Sequence, residues 1–262
     1  MDIRDFLLTE VPADFFDDPY RYYAALREQR PVHELERGSF FLSRYEDVVA
    51  VYRDARASSD KKLEFKPKFG DSPLYEHHTT SLVFNDPPLH TRVRGLIMGA
   101  LTQRAIARME AGVGTLVEGL LDDFPSEVDL IDAFAARIPV EVIGNLLDIP
   151  RQERGPLRAW SIAILSGLEP KPSAEMLGRG NRAVEDFKDY LAKLVEERRR
   201  HPGDYESDVL TRLIQGEKDG ARLSPLELYH NCIFLLNAGH ETTTNLIGNG
   251  VWLLLKNPAE MR

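Results

Sequence analysis

Cysteine is almost missing from this chain of 262 residues: Cys232 stands alone. That excludes an internal disulfide and any metal cluster held by several thiolates. Long apolar runs are missing too, since the longest, IFLL and VWLLL, fall far short of the ~20 residues a membrane-spanning helix needs. The amino-terminal MDIRDFLLTEVPADFFDD has no basic segment followed by an apolar one, so no secretory signal is read. Basic residues are outnumbered, 33 against 42 acidic ones, for a net charge of −9. Such a balance argues against a nucleic-acid surface. Fixed-period repeats and low-complexity tracts are also lacking, which removes solenoids and linkers. The expectation is an acidic cytoplasmic protein without a membrane or nucleic-acid partner, long enough for one sizeable core or two small ones.

What is present reads as mostly helical. DDPYRYYAALREQRP offers Asp18 as a cap, Pro19 at the first helical position and Pro31 as a stop. VHELE and SFFLS flank Arg37-Gly38 as a β-hairpin, and RYEDVVAVYRD resumes a helical pattern. Residues 54–88, rich in Lys, Pro, Asp, Ser and His, read as a long irregular stretch of the kind that forms a binding loop or a disordered one. Helices are expected at 89–99, 103–124, 132–147, 151–167, 173–200 and 206–215.

The last expected helix, LSPLELYHNCIFLLNAGHETTTNLIGNGVWLLLKNP, starts at Ser224-Pro225 with Glu227 three residues after the serine, and stops at Pro258. Its length should be about 32 residues, roughly 48 Å. Its apolar residues cover nearly every face, the pattern of a buried central helix. Yet Gly239 costs about 1 kcal/mol relative to alanine in a helix interior, and Thr242, Thr243 and Thr244 follow with poor propensity. Threonine hydroxyls can bond the carbonyl four residues back, Thr242 reaching Ala238, and so bend or widen a helix. The plainer alternative is close packing of a neighbouring helix on small residues, with Glu241 paired to a base. His240-Glu241 begins a zinc-type HExxH pattern, but residue 244 is threonine, so the second imidazole is missing. Glu241 beside a hydroxyl in apolar surroundings would make a proton relay.

A second segment, NDPPLHTRVRGLIMGALTQRAI, sets His90 and Arg94 one helical turn apart after two prolines. Both donate hydrogen bonds, and together they could clamp an anionic group; from spacing alone, a solvated basic face is the commoner outcome.

DPPLHTRVR followed by LTQRAI, then AGHETTT within a long helix, resembles the soluble bacterial cytochromes P450. The likeness extends through the early hairpin, SRYEDVVAVYRD, SDVLTRLI and LSPLELYHNCIFLLNAG, in that order. It implies a mainly α fold with small β-sheets, residues 1–262 forming one partial domain of that type. It also implies haem b as cofactor, with His90 and Arg94 as donors to the propionates and Ala238 and Gly239 lying over the haem face. By the same resemblance Thr242 stands near bound dioxygen with Glu241 as the adjacent acid, and the pair delivers the protons that cleave the O–O bond. Phe234, Asn237 and Ala238, with loop 60–84, become candidate contacts for a small organic substrate. Electrons would come from a separate ferredoxin or flavodoxin-type donor.

The resemblance also implies a Glu-x-x-Arg helix and a glycine-rich loop carrying the cysteine that binds iron, and neither is found before Arg262. Cys232 lies ten residues before Thr242, about 15 Å along one helix, in surroundings unlike that loop, and reads as a small core residue. The expectation is therefore the amino-terminal portion of a haem-thiolate monooxygenase, inactive by itself. A finished, non-catalytic helical binding or scaffold protein is the alternative. An apolar face at 253–255 should be left without partners and promote aggregation.

Overall fold

Residues 3–35, 38–205, 208–217 and 220–261 are described by a computed structural model, which divides into two compact units, residues 1–58 and 59–262. In the first unit, Asp18 accepts a hydrogen bond from the Tyr20 amide (3.2 Å) and starts α1 (Pro19–Gln29), which ends just before Pro31. Strands β1 (Val32–Glu34) and β2 (Phe40–Leu42) pair antiparallel, with His33 opposite Phe41. Gly38 takes a positive φ of 73° on the return, as a tight reversal requires; Arg37 lies outside the described residues. Helix α2 (Tyr45–Arg53) follows. Ile3, Phe6, Phe15, Tyr22 and Leu26 form this unit's core, and His33 Nε2 donates to the Phe6 carbonyl at 2.9 Å.

The second unit corrects the reading of residues 54–88, which hold two helices, α3 (Lys62–Phe69) and α4 (Pro73–Thr80). Ser72 caps α4, accepting from the Tyr75 amide at 3.3 Å, with Pro73 at the first position. These helices are short and mix prolines with lysines, so periodicity does not reveal them. They form because Phe65, Phe69, Leu74, His77 and His78 are buried.

Helices α5 (Leu89–Ala100) and α6 (Gln103–Asp122) follow expectation within two residues. The single helices expected at 132–147 and 151–167 are each divided. A π-helical turn at Ile131–Ala135 precedes α7 (Arg137–Leu146), where Pro139 has no amide hydrogen for the carbonyl of residue 135. A 3-10 turn at Arg151–Glu153 precedes α8 (Leu157–Ser166), separated by Gly155-Pro156, which disfavours continuous helix. Then come α9 (Ala174–Arg200), α10 (Val209–Gln215) and α11 (Pro225–Lys256), the last with the expected 32 residues. Asp208 caps α10, accepting from the Thr211 amide at 3.2 Å, so this helix starts later than 206; residues 206 and 207 lie outside the described residues. Among the described residues the protein is mainly α with one two-stranded sheet.

α11 packs against α4, α7, α8 and α9. Its start carries a reciprocal cap: Ser224 Oγ accepts from the Glu227 amide (3.2 Å), and Glu227 Oε2 accepts from the Ser224 amide (2.9 Å). The same carboxylate forms an ion pair with Arg92 of α5. Burial pushes the Glu227 carboxyl up, but the hydrogen bonds from Arg92 and the Ser224 amide outweigh it and hold it below its ordinary value.

α4 is tied down by polar side chains of the long helices. Asn181 of α9 accepts from the Leu74 amide (3.0 Å), and Asn231 of α11 accepts from the Leu82 amide (3.0 Å). Glu76 Oε1 receives Lys188 Nζ at 2.8 Å and His230 Nε2 at 3.0 Å. Around this junction His77, His78 and His230 are all buried, with ring centroids 5.0 Å apart for His77–His78 and 5.4 Å for His77–His230. Desolvation, with smaller contributions from neighbouring positive charge, pushes His77 well below its ordinary value and His78 down to about 4. Burial also lowers His230, against the pull of Glu76.

Two consequences are testable. Histidines whose folded pKa is depressed stay neutral in the native state while their unfolded counterparts gain protons near pH 6.5. Stability should therefore be fully present above that value and fall as pH drops from 6.5 toward 4, by about 1.4 kcal/mol per pH unit for each of His77 and His78. Urea unfolding across that range should show the loss, and a flat profile would contradict the buried triad. Second, Glu227→Ala should cost about 2 kcal/mol, combining a lost cap with a charge-assisted bond discounted because Arg92 is partly solvated. Glu227→Gln, which still accepts at the cap, should cost about half as much in the same assay.

Candidate functional site on helices α5 and α11

The expected site residues fall on two helices. On α5, Pro87 and Pro88 precede the helix, and His90 and Arg94 lie one turn apart, His90 half-buried and Arg94 exposed. The side chains of both make no hydrogen bond or ion pair among the described residues, whereas Arg92 between them is committed to Glu227. Two uncommitted nitrogen donors on one turn are suited to an anionic oxygen ligand.

On α11 the exposed residues Ala238, Glu241, Thr242, Asn245, Leu246 and Asn249 recur at spacings of three and four, forming one open stripe. The opposite face, with Leu236, His240, Thr244 and Gly248, is buried. Thr242 Oγ1 donates to the Ala238 carbonyl at 2.9 Å, and Thr244 Oγ1 to that of His240 at 2.9 Å. Both are back-bonds to residue i−4, yet the helix remains α throughout. With its own hydrogen committed, the Thr242 hydroxyl keeps lone pairs for another donor. Glu241 is exposed beside it rather than enclosed by apolar groups.

Gly239 has a packing explanation. A Cβ there would lie 2.8 Å from Ile143 Cδ1 of α7, and one at Gly248 would lie 2.4 Å from Ile131 Cδ1. Each glycine admits an isoleucine side chain that alanine would displace. Phe234 is half-buried one turn before Ala238, and Asn237 is buried with its Oδ1 unpartnered among the described residues. His240 is buried on the side away from Thr242 with neither ring nitrogen hydrogen-bonded.

Cys232 is fully buried in the main core, and burial pushes its thiol up to about 12. It is therefore a protonated core thiol at neutral pH rather than a thiolate. Among the described residues, no three His, Cys, Asp or Glu side chains form a group able to hold a metal ion. Nor is any helix there long and apolar enough to cross a membrane. The ties from Glu76 and Asn231 to neighbouring helices were not foreseen; nothing in the local spacing of DSPLYEHHTT marks which partner lies 154 residues away.

Comparison with known proteins adds a family. The model described as Cytochrome P450 matches residues 168–262. "Polyketide biosynthesis cytochrome P450 PksS" of Bacillus subtilis is 31% identical, over 94% of this chain and 62% of that protein. "Cytochrome P450 107B1" of Saccharopolyspora erythraea is 36% identical over the same shares. Among solved structures, P450BioI in complex with hexadec-9Z-enoic acid ligated acyl carrier protein superposes with a TM-score of 0.86 at 28% identity, covering 96% of this chain and 65% of that one. The chain thus spans less than two thirds of the length of these relatives. Across nearly its whole length the chain is thus similar, in sequence and in fold, to the corresponding part of bacterial cytochromes P450.

Proposed function

We propose that this chain carries the propionate-holding and dioxygen-side portion of a haem monooxygenase acting on an organic substrate. The observation that carries the reading is the pair of uncommitted donors, His90 and Arg94, in a chain that matches bacterial P450s along 94% of its length. The donor chemistry fits haem b, whose two carboxylates suit an imidazole and a guanidinium one turn apart. Haem, when bound, would supply the iron chemistry that activates dioxygen.

The chain's own residues have narrower tasks. His90 and Arg94 neutralise and orient the propionates. Ala238, with no side chain beyond Cβ, would leave room for a bound haem beside α11, and Gly239 lets α11 approach α7 closely. Thr242 Oγ1, already donating to Ala238, accepts a hydrogen bond from a protonated donor and holds it at a fixed point on the stripe. Glu241, exposed beside it, exchanges protons with solvent and supplies them to that point. Phe234 offers an apolar contact to substrate, while the unpartnered Asn237 Oδ1 offers a hydrogen-bond acceptor. A small or medium-sized apolar substrate fits this lining, and the polyketide-biosynthesis name of one relative agrees with it. Electrons come from a separate ferredoxin or flavodoxin-type donor, with no nucleic acid or membrane taking part, and the setting is cytoplasmic.

Residues 1–262 alone do not run the reaction on this reading, because the lone thiol is protonated and buried in the core. The reduced, haem-supplemented chain should give no thiolate-type Soret band in a carbon monoxide difference spectrum; a band at that position would mean Cys232 ligates iron. Haem titration followed by tryptophan quenching should show binding weakened about tenfold to a hundredfold in H90A/R94A, from two charge-assisted contacts of ~1.5–3 kcal/mol that overlap. Unchanged affinity would remove the propionate assignment.

A further inference from the structure

Away from the open stripe of α11, a cavity of about 360 Å³ lies between α7 and α8, lined by Arg137, Arg151, Arg154 and Arg158 together with the carboxylates Asp132 and Glu141. Four guanidiniums in one cavity are unexpected in a chain of net charge −9.

The two carboxylates are already committed. Glu141 pairs with Arg154 at 2.6 Å, and Asp132 with Arg158 at 2.6 Å. Arg154 is itself buried and fixed, donating from Nε to the Ile149 carbonyl (2.8 Å) and from Nη2 to Asn145 Oδ1 (2.9 Å). Gly144 leaves the space it occupies: a Cβ there would lie 2.4 Å from Arg154 Nε. The side chains of Arg137 and Arg151 make no hydrogen bond or ion pair among the described residues, leaving two positive charges without counterions at the cavity. In the same wall, Arg158 Nε is buried with no acceptor. An orphaned donor beside two unpaired guanidiniums marks a missing acceptor, since buried donors are normally satisfied.

We propose that this cavity binds a small phosphate-bearing dianion, with Arg137 and Arg151 as its clamps and Arg158 Nε as a third donor. Planar guanidiniums bind phosphate oxygens bidentately, and the volume leaves room for an organic group on the phosphate. The proposal is independent of the haem reading.

Occupancy also reaches α11. His240 is held below its ordinary pKa first by burial and second by the charge of Arg158. An anion placed against Arg158 offsets that charge and lets the imidazole titrate closer to its normal range.

The experiment is calorimetric titration of the full chain with inorganic phosphate and with glycerol phosphate at constant ionic strength, alongside a proton NMR titration of His240. Saturable binding, weakened at least tenfold in R137A/R151A and accompanied by an upward His240 shift only in the unmodified chain, is expected. Arg137 and Arg151 are exposed and their side chains make no hydrogen bond or ion pair among the described residues, so the variant should stay folded, as its melt will verify. Tighter binding of the ester identifies an organic phosphate as the ligand; equal binding identifies phosphate itself. Absence of saturation, or equal affinity in the variant, overturns the proposal.

Discussion

The second unit depends on α11, which is enclosed through Leu228–Asn237 and then buries one face while the other stays open from Ala238 to Asn249. Leu228, Cys232, Ile233 and Leu236 sit within the main core, and full burial of such a side chain is worth ~1.5–3 kcal/mol. A helix sealed on one side and free on the other acts as a wall, and α4, α7, α8 and α9 are set against its closed side. Glu227 joins the start of that wall to α5 by serving its own helix cap and Arg92 together. The helix bearing His90 and Arg94 is thereby tied to the helix bearing Thr242 without spending either donor.

Much of this was legible because its signals are local. Asp18-Pro19 and Ser224-Pro225 announce helix starts through a side-chain acceptor and a residue that needs no amide bond, and both helices begin there. The i−4 back-bond of Thr242 follows from helical geometry alone. α3 and α4 were hidden because their stability comes from contacts with distant residues, such as Glu76 with Lys188 and His230. The same serine-proline signal stands at Ser72-Pro73, but the segment after it lacks an amphipathic repeat long enough to support the signal. The breaks before α7 and α8 were local after all, written in Pro139 and in Gly155-Pro156.

At the candidate site, residue types were easier to read than surroundings. Spacing put His90 and Arg94 on one face, and the structure adds that their side chains make no hydrogen bond or ion pair among the described residues. For Gly239 the plainer of two readings, close approach of another helix, has its partner in Ile143. For Glu241 the exposure differs from the enclosed setting that a relay argument assumed, because the sidedness of a helix with apolar residues all round cannot be read from composition.

The two glycine notches on α11 have a mechanical meaning. Gly239 and Gly248 stand nine residues apart, about 13–14 Å along the axis, and each receives an isoleucine, Ile143 and Ile131, from successive parts of the chain before and within α7. Two pegs in two sockets at that separation fix sliding and rotation together, as one peg could not. The α7 segment is thus indexed to α11 like a key to its wards, so a shift by a helical turn would drive both isoleucines into side chains rather than gaps.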